Sequence, residues 1–202
     1  MHADSTVNET SPFAGLPAAV GSGNGVLAEE RSGLGIARIV ARKGQGARLA
    51  EIFRSRFGME LPHGPRRVSH EDVGIAGMGP ETWLAMCDGA GNGFAESLRP
   101  ALGDCASVSD QSDAYAILRL TGPRVRAALA KLTPIDIHPR TFPVNSVAQT
   151  LCGYVNVMLW RLEDTTRGDP VFELWVAGSL AASLHHAISH SAAEFGFVRQ
   201  TP

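Results

Sequence analysis

The chain has 202 residues, enough at ~150 residues per domain for one large domain or two small fused units, with a core that needs no disulfide staples. Its 18 Lys+Arg against 20 Asp+Glu leave a net charge of -2, which argues against a nucleic-acid binder that relies on a basic surface. No basic run flanks an apolar segment, so a membrane-surface anchor is also disfavoured, and the 22 Gly and 12 Pro are dispersed as in a loop-rich globular fold.

Residues 1–32 are polar and Gly/Ser-rich around Gly21-Ser22-Gly23-Asn24-Gly25, which predicts an extended N-terminal arm. Residues 1–10 carry Asp4 and Glu9 without an apolar core, unlike a secretory signal. The arm's one apolar cluster, Ser11-Pro12-Phe13-Ala14-Gly15-Leu16, marks Phe13 and Leu16 as candidate docking residues.

A single α+β domain is expected over 33–202. Residues 34–41 alternate as a strand, with Leu34, Ile36 and Val40 on one side and Ile39 on the other. Leu49, Ile52, Phe53 and Phe57 then recur at helical spacing up to a stop at Gly58. Strands follow near 67–76 and at 82–88. Asn92 is placed to cap a second helix carrying Phe94, Leu98 and Leu102, which Pro100 tightens or ends. Strands at 104–109 and 114–120 precede a helix opened by Thr121-Gly122-Pro123, with Val125, Leu129 and Leu132 inward and Pro134 as its stop. Strands at 146–152, 154–162 and 170–177 lead to a last helix over about 179–195, burying Leu180, Leu184, Ile188 and Phe195 and ending at Gly196. Strand pairs between helices point to antiparallel sheets with packed helices, compatible with two βαββαβ-like halves.

The strand faces raise a question of covering. Tyr154, Met158 and Trp160 point one way and Val155, Val157 and Leu159 the other, so this strand is buried on both sides or meets a partner. Phe172, Leu174 and Val176 form a core face, which leaves Trp175 beside Glu173 on the opposite one. Trp160 and Trp175 therefore join Phe13 and Leu16 as interface candidates, the competing reading being a second layer of the same chain over them. Trp83 reads as core, since Leu84 and Met86 continue its strand.

Little chemistry is assembled by spacing. Gly44-Gln45-Gly46 follows a strand and opens a helix, but the third glycine of a dinucleotide fingerprint would fall at Leu49. Gly89-Ala90-Gly91-Asn92-Gly93 lacks the Lys-Ser/Thr of a phosphate loop, and turn chemistry accounts for both. His186 and His190 share one outward helix face with no third ligand in view, which reads as a solvated or partner-facing surface rather than a metal site. His185 reads as packing, and His138 as a loop contact residue. Asp104, Asp110, Asp113, Glu163 and Asp164 read as turn and strand-end residues rather than a catalytic pair, and no nucleophile–His–acid set emerges. The odd number of scattered cysteines, Cys87, Cys105 and Cys152, suits reduced, mostly buried thiols of a cytoplasmic protein. The longest apolar stretch, 154–162, falls short of the ~20 residues of a membrane span. No catalytic, cofactor-binding or metal-binding residue is therefore assigned.

An ordered series of motifs carries a family resemblance. It runs through Gly79-Pro80-Glu81-Thr82-Trp83-Leu84, Ser107-Val108-Ser109-Asp110-Gln111-Ser112, and Ala116-Ile117-Leu118-Arg119-Leu120-Thr121-Gly122-Pro123-Arg124. It continues through Asp136-Ile137-His138-Pro139-Arg140 to Ala148-Gln149-Thr150. With the Ser11–Leu16 cluster, it resembles the gamma subunit of heterotetrameric sarcosine oxidase. The resemblance implies an aminomethyltransferase-like (T-protein) folate-binding fold. It further implies a role as non-catalytic accessory subunit beside alpha, beta and delta subunits that carry FAD, FMN, NAD and zinc. Such a complex oxidatively demethylates sarcosine to glycine and yields hydrogen peroxide. Aminomethyltransferases carry adjacent acids after a glycine in a central strand. Aligned on Gly153, this chain has Asn156 and Val157 there, and an amide cannot accept a proton as a carboxylate does. The alternatives are a stand-alone folate-binding one-carbon transfer protein and the gamma subunit of a related N-methyl amino acid dehydrogenase.

Overall fold

The structure, a computed structural model, describes residues 11–200. Twelve strands form two sheets. β1 (Ala19–Val20), β2 (Val26–Glu30) and β3 (Gly35–Ala41) precede helix α1 (Gly46–Phe57). β4 (Arg67–His70), β5 (Val73–Gly79) and β6 (Thr82–Cys87) lead to α2 (Phe94–Leu102), then β7 (Ala106–Asp110) and β8 (Tyr115–Thr121). After the short α3 (Val125–Ala130) come β9 (Val147–Cys152), β10 (Val155–Leu162), β11 (Val171–Ala177), α4 (Ala181–Ala192) and β12 (Phe197–Gln200). The sheet orders are β1-β12-β2-β8-β11-β10-β9 and β4-β5-β6-β3-β7.

The topology contains a repeated unit. In the smaller sheet, β5-β6-β3-β7 lie side by side, with α1 and α2 as the connections out of β3 and into β7. In the larger sheet β10-β11-β8 repeat that arrangement with α3 and α4, but β2 inserts between β8 and the closing strand β12. β2 pairs parallel with β12 and antiparallel with β8.

The inserted strand overturns the extended arm expected over 1–32. Residues 1–10 lie outside the described residues, but Ala19–Val20 and Val26–Glu30 are woven into the larger sheet, so its residues are part of the domain. The arm reads as polar because the strand is short and flanked by turn glycines, while Val26 and Ala28 still face the core. Its preceding segment is pinned by Arg199, whose guanidinium donates to the Leu16 carbonyl at 3.1 Å.

Three apolar layers follow from strand alternation. α1 and α2 cover the outer face of the smaller sheet, where Leu49, Phe53, Phe94, Leu98 and Leu102 meet Ala37 and Ile39. α3 and α4 cover the outer face of the larger sheet, where Val125, Leu129, Leu184 and Ile188 meet Leu118, Leu159 and Leu174. The inner faces pack on each other, Leu34, Ile36, Ala76, Leu84 and Met86 against Ile117, Val147, Met158, Trp160 and Trp175. The Trp160 and Trp175 rings stack with centroids 4.4 Å apart.

A polar clamp edges this middle layer. Glu173 accepts from Arg119 at 2.7 and 3.0 Å and from Trp175 Nε1 at 3.3 Å. Arg31, which follows β2, stands 3.7 Å from Glu173 and makes two 2.8 Å bonds to Asp88, which follows β6 of the other sheet.

Local departures are instructive. Asn92 does not cap α2; it lies in a 3-10 turn, Gly91–Gly93, and donates to Asp113 at 3.4 Å. Pro100 sits in the last turn of α2, which runs on to Leu102. Leu180 precedes α4 in a 3-10 turn and is exposed rather than buried. The last helix is followed by a strand, because Gly196 (φ 78°) turns the backbone into β12.

Two outcomes are expected. Trp160→Ala should lower unfolding stability by about 3–5 kcal/mol in denaturant titration, since it opens a cavity between two sheets that cannot both collapse onto it. Burial, then the Arg199 charge, lower the His185 pKa. The unfolded histidine protonates near ~6.5, so stability should fall as pH drops below that value and level off below His185's lowered folded one. Denaturant midpoints across this range should show the loss, and His185→Gln should remove its share of the slope.

Candidate functional site

The two sheets splay at one end of their shared layer and leave an open cleft of about 830 Å³. One wall comes from β8, β10 and β11 through Tyr115, Asn156, Met158 and Trp175; Arg38, Thr82 and Leu84 of β3 and β6 face them. Tyr115 meets Trp175 edge-on at 5.9 Å, so the half-buried Tyr115 ring faces the cleft with the buried Trp175 ring behind it. Gln149 of β9 donates to the Met78 carbonyl at 3.1 Å and ties the two sheets at the rim.

The lining combines aromatic and thioether surface with the amides of Gln111, Gln149 and Asn156 and one cation, Arg38. Among the described residues no Asp, Glu, His or Cys lines it. Such a surface can hold a planar ligand and donate hydrogen bonds, but it offers no carboxylate or imidazole to move a proton. Of the two positions where aminomethyltransferases carry acids, Asn156 faces this cleft, whereas the Val157 side chain packs in the core beneath α3 and α4.

The other acids named from sequence remain separate. Asp110 accepts from the Ser112 backbone at 2.9 Å and its hydroxyl at 2.7 Å, a turn role that holds its carboxyl below the usual range. Asp113 bonds Asn92, and Asp164 pairs with Arg161. Asp136 is likewise held low by the His138 N–H and the Thr141 hydroxyl, and the exposed His138 ring accepts from the Arg140 N–H at 3.3 Å. Among the described residues no group of three His, Cys, Asp or Glu is placed to hold a metal. Trp83 is core, its indole N–H donating to the Pro62 carbonyl at 3.0 Å.

The interface candidates require correction. Phe13 is 0% exposed within the α3/α4 layer, and Trp160 and Trp175 are 0% and 1% exposed between the sheets. A second layer of this chain covers both tryptophans, so these three side chains offer no surface to a partner. Leu16 is half-buried against the same layer as Phe13. The surface that sequence reasoning missed is around the β9–β10 turn. There Tyr154 is fully exposed, and Leu151 (40%) and Leu180 (39%) complete the exposed large hydrophobics among the described residues. Arg38 was also missed, although a cation on the Ile36 face of an otherwise apolar strand was a readable signal.

The fold and cleft can now be set beside known proteins. Residues 68–200 match the family model of the GCVT N-terminal domain. The sarcosine oxidase subunit gamma of Corynebacterium sp. (strain U-96) is 30% identical over 171 residues, 78% of this chain and 80% of that one. The chain belongs to the sarcosine oxidase gamma-subunit family. The Arthrobacter gamma subunit is 37% identical over 92 residues, a match spanning 45% of each chain. A chain in the solved heterotetrameric sarcosine oxidase from Corynebacterium sp. U-96, in complex with pyrrole 2-carboxylate, superposes with a TM-score of 0.77 at 26% identity. That match covers 92% of this chain and 95% of that one. The glycine cleavage system aminomethyltransferase T from Bartonella henselae matches with a TM-score of 0.62 at 11% identity, over 88% of this chain and 48% of that one, and shows the shared fold. No helix among the described residues is long and apolar enough to cross a membrane.

The three thiols are free, with Cys105 and Cys152 buried and Cys87 half-buried. Burial pushes the Cys152 thiol up to about 12. In the native protein a water-soluble thiol reagent at pH 8 should therefore modify Cys87 alone, with the other two reacting only after denaturation. Native-state labelling of Cys152, read by mass spectrometry, would contradict the packing described here.

Proposed function

We propose that this chain is a non-catalytic accessory subunit of a heterotetrameric sarcosine oxidase, a cytoplasmic complex that oxidatively demethylates sarcosine to glycine and forms hydrogen peroxide. Its partners are the alpha, beta and delta subunits, and FAD, FMN, NAD and zinc reside on them rather than on this chain. The observation that carries this reading is the combination of near-full-length likeness to a chain of such an assembly with a cleft that no carboxylate among the described residues lines. An aminomethyl transfer needs an acid or base beside the reacting amine, and Asn156 supplies an amide at the cleft wall.

The test is purification of the chain from its own cells under native conditions, with an absorbance spectrum of what accompanies it. The expected result is flavin bands together with larger chains, and peroxide formation from sarcosine. A colourless chain recovered alone would overturn the proposal.

A second reading, a free-standing folate-binding protein, is favoured by the size and aromatic wall of the cleft. It makes a separate expectation. Titrating the isolated chain with tetrahydrofolate should then quench tryptophan emission through Trp175, and Asn156→Leu should weaken that response. An emission unchanged by folate rejects it.

A further inference from the structure

Beyond the cleft, one surface is built unlike the rest. The tight turn at Gly153 (φ 61°) joins β9 to β10 and lifts Tyr154 fully into solvent. An added Cβ at Gly153 would lie 3.4 Å from Ala187, so the turn rests against α4. Between turn and helix runs an open groove of about 940 Å³ with Tyr154, Val155, Leu132 and Leu180 as its apolar members. Two of the three exposed large hydrophobics among the described residues thus share one groove. A tyrosine that touches nothing in its own chain contributes nothing to folding, whereas tyrosine is enriched at binding hot spots.

The titratable side chains lining this groove are hydrogen-bond donors. His186 and His190 of α4 stand side by side with ring centroids 4.7 Å apart, both exposed, and their ring nitrogens have no hydrogen-bond partner among the described residues. Lys131 adds an ammonium beside them. Lys131 is itself paired with Glu194 at 2.6 Å, and among the described residues no Asp or Glu lines the groove. A two-fold pairing of this groove with itself would bring no carboxylate to either histidine pair, since none lines it among the described residues.

We infer that this groove docks an apolar segment bearing at least one carboxylate, supplied by a larger partner subunit. The inference rests on the accessory-subunit reading above and names the surface through which that role is exercised. Tyr154 and Leu180 bury against apolar side chains of the segment, and His186 and His190 donate to its carboxylate. This also gives the histidine pair a use that needs no metal.

The experiment coexpresses the full-length chain, tagged, with the three remaining chains of the complex, and measures recovery of those chains. Tyr154→Asp and Leu180→Asp place carboxylates in the groove. His186→Glu with His190→Glu replaces two donors by two carboxylates, and Arg48→Asp on the exposed side of α1 serves as a surface control. Circular dichroism and melting temperature of each purified chain establish folding, which these exposed positions should leave intact. The groove variants should lower recovery of the larger chains about tenfold or more, the loss of a single hot-spot contact, while the control matches wild type. Wild-type recovery by folded groove variants would overturn the docking surface while leaving the accessory-subunit reading in place. A wild-type chain that recovers none of the others overturns both. A wild-type dimer in the absence of the other chains, dissociated by Tyr154→Asp, would replace the partner segment with a second copy and overturn the proposal.

Discussion

The packing of two sheets through one thin layer governs the rest of the molecule. Trp160 and Trp175 lie stacked at its centre, and only side chains from the two inner faces fill it. Because both outer faces are occupied by helices, the layer cannot be relieved by shifting either sheet outward without breaking a second core. The clamp of Glu173, Arg119, Arg31 and Asp88 belongs to the same constraint. A buried carboxylate between sheets is costly unless its hydrogen bonds are made, and here the Arg119 guanidinium and the Trp175 indole make them, with the Arg31 charge 3.7 Å away. Arg31 reaches both sheets, so the clamp also fixes their relative position.

Function follows from where this layer ends. Beyond Trp160 the sheets part, and the gap becomes a cleft with Tyr115 and the edge of Trp175 in its wall and amides at its rim. The same strand alternation that keeps Met158 and Trp160 inside carries Asn156 to the cleft wall. One strand therefore serves the core at one end and the cleft at the other, and its chemistry there is that of an amide. A fold shared with an aminomethyltransferase need not retain its reaction, since the groups that move protons are a separate matter from the strands that present them.

Much of the architecture was readable along the chain. The spacing of Leu49 and Phe53, and of Phe94, Leu98 and Leu102, marked two helices whose buried faces are those residues. The alternation in 154–162 showed a strand apolar on both faces, as it is. Three features escaped for physical reasons. Residues 26–30 form a central strand that is too short and too polar on one face to rise above the glycines around it. Residues 197–200 are also short, and their pairing with residues 26–29 is long-range, so nothing local announces it. Arg38 and Gln111 come to line the cleft only because β3 and β7 pair within a sheet that faces another.

The sequence by itself determined the class of fold, the family, and which side of each strand is apolar, because these depend on residue type at fixed local spacing. It could not decide what an apolar face touches. Phe13, Trp160 and Trp175 had the character of interface anchors, and tertiary packing turned all three inward. Tyr154, placed by alternation on the same face as Met158 and Trp160, was carried out by a glycine turn to stand alone in solvent. Burial is a property of the assembled layers, not of the side chain, and only the closure of one sheet over the other separated the residues that hold the chain together from those left to meet something else.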